Sequence, residues 1–146
     1  MKYAVITEKE LPDFWAKLDG DISGFDFTDL NLTGINWSEV RKNGDFNFFG
    51  CKLDYGCFQS VDLRGAKFEN CSIREVDFSE ANLAKSSFSG SQLAGTSFTN
   101  TNLEKADFRR AHDYLIDPRF AKMKEAKFSF PDAIVLLQAM GIQVEM

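Results

Sequence analysis

From Phe48 to Phe108 a large apolar residue stands at every fifth position: Phe48, Leu53, Phe58, Leu63, Phe68, Ile73, Phe78, Leu83, Phe88, Leu93, Phe98, Leu103 and Phe108. A strand repeats its faces every two residues and a helix every 3.6, so neither explains this series. Two residues before each large position from Leu53 onward lies a smaller one: Cys51, Gly56, Val61, Ala66, Cys71, Val76, Ala81, Ser86, Ser91, Thr96, Thr101 and Ala106. Phe46 breaks that rule at the start. The position between favours Asp or Asn (Asn47, Asp62, Asp77, Asn82, Asn102, Asp107), and polar residues or Gly follow. A side of five residues can turn two side chains inward and three outward. If four such sides closed into a square, its four large inward groups would leave room only for small ones beside them. Stacked coils lie about 4.7–4.9 Å apart, which places residues twenty apart directly above one another. Phe48, Phe68, Phe88 and Phe108 then form one column and Phe58, Phe78 and Phe98 the opposite one. Leu53, Ile73 and Leu93, with Leu63, Leu83 and Leu103, fill the two columns between, so core volume stays constant from layer to layer.

The first units follow a shifted register. FDFTD, LNLTG and INWSE centre on Phe27, Leu32 and Trp37, with Phe25, Leu30 and Ile35 where later units have small residues. Phe48 follows Trp37 by eleven positions rather than ten. One extra residue is therefore expected within 40–45, as a bulge at Lys42–Gly44, where Asn43-Gly44 is a turn dipeptide. That insertion sets Phe27 under Phe48, Leu32 under Leu53 and Trp37 under Phe58.

The units VDFSE, ANLAK, TNLEK and ADFRR closely resemble the pentapeptide-repeat family, whose consensus is A(D/N)LXX. The resemblance covers Phe25 to Arg110. It implies an all-β fold, a right-handed quadrilateral β-helix of about four coils, with the large residue at the axis and the small one near the corner.

A solenoid exposes core and unpaired backbone at both ends, so caps are expected. Residues 1–24 are read as an N-terminal cap, with Leu11, Phe14, Trp15 and Leu18 on one face of a short helix after Pro12. Residues 25–110 are the repeat, and 111–146 the C-terminal cap. There Ser129, Pro131, Asp132 and Gly141 predict a helix over about 130–140. Ile134, Leu137 and Met140 form its capping face, and Val135 and Leu136 widen it beyond what capping requires. The tail LLQAMGIQV is similar to that of Qnr-like members of the family, which implies a homodimer through Ile134, Val135, Leu136 and Met140.

Composition adds mostly exclusions. With 44% hydrophobic residues, and 15 Phe against 3 Tyr and 2 Trp, the aromatic content suits packing without hydrogen-bond partners. The longest wholly apolar run, Ala133 to Leu137, is too short to span a bilayer, and charges at Glu8, Lys9 and Glu10 argue against a signal peptide; a cytoplasmic setting is expected. The net charge of −5 disfavours direct binding to nucleic acid or an anionic membrane.

No catalytic, cofactor-binding or metal-binding set is legible. His112 is the only histidine, Cys57 faces outward without a base, and Cys51 and Cys71 stack in the small position as fillers. The recurrent Asp and Asn residues suit turns, and the sequons at Asn31, Asn36 and Asn70 follow from a repeat rich in Asn, Ser and Thr. The chain is therefore expected to be non-enzymatic, a rigid interaction or structural module with a protein partner. Phe49 and Tyr55, aromatic at outward positions, form a candidate contact patch. The Qnr-like resemblance implies an alternative, a DNA-mimicking regulator of gyrase or another topoisomerase. Between Phe25 and Arg110, however, 12 acidic residues are interspersed with 10 basic ones.

Overall fold

In the computed structural model, which describes residues 4–5, 25–38 and 46–145, the five-residue units wind into a four-sided coil held by parallel ladders. Strands β1 (Ala4–Val5), β2 (Phe25–Thr28), β3 (Asn47–Phe49) and β4 (Lys67–Glu69) lie in that order in one parallel sheet. Elsewhere each side contributes a single bridge, at the residue before the large one: Asp62 pairs with Asn82, Asn82 with Asn102, and Asn102 with Lys122. Phe27 pairs with Phe48 across 21 positions, whereas Phe48 pairs with Phe68 across 20. One residue is thus inserted between the two blocks, in a stretch that includes 39–45, which lies outside the described residues, as does the expected N-terminal helix.

The sixteen axial residues Phe27, Leu32, Trp37, Phe48, Leu53, Phe58, Leu63, Phe68, Ile73, Phe78, Leu83, Phe88, Leu93, Phe98, Leu103 and Phe108 are at most 4% exposed. Rings within a column lie parallel, with centroids 5.2 Å apart for Phe48 and Phe68 and 5.1 Å for Phe58 and Phe78. Across the axis they meet edge to face, as Phe68 and Phe78 do at 5.6 Å and 79°. Both arrangements suit the ring quadrupole, so alternating Phe with Leu or Ile gives every ring favourable aromatic neighbours and aliphatic flanks.

Corners explain why the unit has five residues. The small residue opening most units donates its amide back to the preceding large residue's carbonyl, as Gly56 does to Leu53 and Val61 to Phe58, both at 3.1 Å. Such turns need a left-handed residue at their third position. Glycine fills it at Gly65, Gly90 and Gly95, yet Tyr55, Ser60, Glu80, Lys85 and Lys105 adopt the same conformation, with φ of 60–63°. At two corners a hydroxyl from the coil above stands in. The Cys71 amide donates to Ser91 Oγ (3.0 Å), which donates in turn to the Phe68 carbonyl (2.6 Å). Thr96 does the same between the Val76 amide and the Ile73 carbonyl.

The coil does not end at Arg110. His112 pairs with Gln92, Lys122 with Asn102 and Lys127 with Asp107, and the Phe128 ring stacks on Phe108 at 5.1 Å. The segment assigned wholly to a cap therefore adds nearly one further coil to the about four expected. Its axial positions 113 and 118 hold Asp113 and Pro118, which hides the repeat; Tyr114 and Ile116, 3% and 2% exposed, supply buried bulk nearby. The helix is also shorter than expected. It is α1 (Ile134–Ala139), and no side chain caps its start. Ser129 Oγ instead accepts the Arg110 amide at 3.3 Å.

Candidate functional site

Inside the rod the hydroxyls at the corners are taken up by the backbone of the neighbouring coil. The hydroxyls of Ser91, Thr96 and Thr101 donate to carbonyls of the coil below, a role that residue size alone does not reveal. Tyr114 is buried with no hydrogen bond to its hydroxyl, and burial, with Asp132 adding to it, pushes its pKa above the ordinary value. Cys51 and Cys71 are free and buried, while Cys57 is half-buried. Among the described residues no three His, Cys, Asp or Glu side chains gather to hold a metal ion.

Several carboxylates and amides on the sides are engaged within their own units. Asp62, Asp77, Asn82, Asn102 and Asp107 each accept the amide two residues on, closing a small turn. At three places the residue two positions after an aspartate is arginine, whose guanidinium folds back on the carboxylate: Arg64 on Asp62 at 2.8 Å, Arg109 on Asp107 and Arg119 on Asp117, both at 2.7 Å. These hydrogen bonds hold the Asp107 and Asp117 carboxyls below the ordinary range. His112 is exposed and serves the ladder, its amide donating to the Ser91 carbonyl at 2.9 Å. Tyr55 is 68% exposed at its left-handed corner, whereas Phe49 is half-buried within β3.

Apolar surface collects at the C-terminal end. Val135 and Leu136, read from the sequence as the outward surplus of the helix, pack against the core instead. A helix of six residues is oriented by what precedes and follows it more than by its own periodicity. Ile134 and Leu137 line a depression of about 410 Å³ with Phe130, Ala133, Val144 and Glu145. Phe130 is 82% exposed, Ile142 45% and Leu137 40%. Met140 is half-buried at the end of α1, where its amide donates to the Leu137 carbonyl at 3.1 Å. Arg119 ties this end to the last coil by donating to the Ala139 carbonyl at 3.1 Å. A second, wider cleft of about 450 Å³ lies between Gly95–Thr99, Leu115–Asp117, Phe120 and Ala139.

A model of the pentapeptide repeat region matches residues 42–112. A pentapeptide repeat protein from the Arabidopsis thaliana thylakoid lumen is 30% identical over 68% of this chain and 70% of its own, with a TM-score of 0.59. The chain belongs to the pentapeptide-repeat family. Other family structures are more distant. The cyanobacterial pentapeptide repeat protein Rfr23 of Cyanothece is 18% identical, covering 84% of this chain and 96% of its own, at a TM-score of 0.48. QnrB1, a plasmid-mediated fluoroquinolone resistance protein, is 18% identical, covering 88% and 86%, at 0.40. No curated protein sequence matches significantly. In this pentapeptide-repeat protein no helix among the described residues is long and apolar enough to cross a membrane.

Proposed function

We propose that this pentapeptide-repeat protein is a non-enzymatic, rigid interaction module whose C-terminal end, rather than its flat sides, engages a protein partner. The observation that carries the reading is the exposed pair Phe130 and Leu137 lining the apolar depression at Ile134, with Ile142 exposed in the tail that follows α1. A second copy of the chain is the simplest partner for such a face, which makes a homodimer part of the proposal. The contact then runs through Ile134 and Leu137, while Val135 and Leu136 anchor the helix to the rod. Three free thiols accord with a reducing, cytoplasmic setting, and a right-handed coil with a capping helix at each end completes the reading.

The test is capture of partners by the full chain, with Leu137→Asp as the control. Loss of a specifically bound protein, or of a dimer in sedimentation, supports the C-terminal end. Equal capture and unchanged mass for the variant overturn it. The alternative, duplex imitation toward gyrase, needs a face dense in free carboxylates. Three aspartates of the sides are instead held by arginines two residues away. A change in gyrase supercoiling at stoichiometric protein would reverse this preference.

A further inference from the structure

Counted in steps of twenty, Phe120 falls where earlier coils have Ser60, Glu80 and Asn100, and Leu115 where they have Tyr55, Glu75 and Gly95. A corner points away from the axis, so neither residue fills the core, and Leu115 and Phe120 are 66% and 55% exposed. Singly, such residues are ordinary on a protein surface; here both line one cleft of about 450 Å³. The buried Phe98 and Ile116 form its floor, and Ala139 of α1 joins the lining. Its volume is in the range of ligand clefts. It shares no lining residue with the depression at Ile134. The carboxylate of the cleft, Asp117, is taken by Arg119 at 2.7 Å, so that pair is close to neutral. Phe120 also lines a smaller depression of about 290 Å³ together with Arg119 and Lys122. Lys122 makes no ion pair with any described residue. An uncompensated ammonium beside an apolar cleft complements a carboxylate next to an apolar group. The open shape separates the ligand classes. A small molecule seated on the floor would leave the exposed walls in water, whereas a polypeptide laid across the cleft covers them.

We infer that the cleft between Leu115 and Phe120 docks a segment of another protein that presents a large apolar side chain with an aspartate or glutamate beside it. The apolar group fills the cleft over Phe98 and Ile116, and the carboxylate meets Lys122. This surface is separate from the homodimer proposed above, because it uses a different hollow and none of the same lining residues.

The experiment is selection of linear peptides from a random display library on the full chain, followed by affinity measurement with the enriched peptides in synthetic form. Peptides carrying Leu, Met or an aromatic residue next to Asp or Glu are the expected result. Leu115→Ser and Phe120→Ser should each weaken binding by about tenfold or more, and Lys122→Glu should select basic residues in place of acidic ones. Both apolar residues are exposed, and far-UV circular dichroism verifies that the variants fold. Leu137→Asp, which removes the proposed dimer contact, should leave peptide affinity unchanged, so failure of either surface is seen separately. Chemical-shift mapping on the wild type supplies a readout independent of any variant, with the largest shifts expected at Leu115, Phe120 and Lys122. No enrichment, the same acidic preference with Lys122→Glu, unchanged affinity in both serine variants, or shifts confined to the hollow at Phe130 and Leu137 would overturn the site. Binding of octanoate without any enriched peptide would also overturn it and assign the cleft to small amphiphiles.

Discussion

At the residue scale, the coil depends on side chains that replace missing backbone bonds and on backbone shapes few residues adopt. Ser91→Ala leaves the Cys71 amide and the Phe68 carbonyl without their buried partner, a loss of about 1–3 kcal/mol measurable by chemical denaturation. Gly90 and Gly65 are both left-handed, at φ +75° and +71°, but only at Gly90 would a Cβ collide with a side chain, that of Asn70 one coil below. Gly90→Ala should therefore lower stability more than Gly65→Ala, since both carry the left-handed penalty and only one carries the clash. The Asp107 carboxyl, held below its usual 3.8 mainly by the Arg109 hydrogen bond, adds a pH dependence of known sign. A lowered folded-state pKa contributes stability in full above the unfolded value, and that contribution is lost as pH falls through the folded one. Denaturation midpoints should accordingly fall below about pH 4, and by less in Asp107→Asn.

At the element scale, the units differ in how openly they declare themselves. Those from Phe48 to Phe108 were legible because one variable, side-chain size, decides which position can face the axis. The coil beyond Arg110 was legible in part and missed: Ala121, Lys122 and Met123, then Ala126, Lys127 and Phe128, keep the small–polar–large order, but Asp113 and Pro118 interrupt the count. The roles of Ser91 and Thr96 could not be read, because a period in size carries no record of hydrogen bonding. Helix α1 is shorter than the expected 130–140, and its Val135 and Leu136 meet the core rather than face outward. Its six residues are fewer than two turns, and Arg119 and the tail decide which side meets the coil. Arg119→Ala should thus raise hydrogen exchange across 134–142 while leaving the central coils protected. Phe78→Ala, in contrast, opens a cavity beneath stacked rings on both sides and should cost about 3–5 kcal/mol of global stability.

At the scale of the whole molecule, chemistry and architecture separate. Three aspartates are held by arginines of their own units, and the feature that distinguishes this chain from a generic rod is its apolar C-terminal end. For the end, Phe130→Asp combined with Leu137→Asp should abolish any concentration-dependent mass in sedimentation without altering the circular dichroism of the coil. Neither residue belongs to the buried core, which is why the fold should survive the change. The sequence pointed to this region through the length of its apolar run. Which residues face solvent depends on packing that only coordinates show.

The pairing offset, 21 positions below the insertion and 20 above it, sets a reading frame for the chain. A gene that loses one codon within 50–108 sends every later unit out of phase and turns polar residues toward the axis. Loss of one codon from 39–45 brings the pairing across that stretch to twenty and keeps both blocks in phase. A loss of five keeps large residues inward but slides phenylalanine columns over leucine ones, and only a loss of twenty shortens the rod by one layer without mixing them. Lineages of this gene should therefore record their insertions and deletions in steps of twenty, with single steps confined to the stretch between the two blocks.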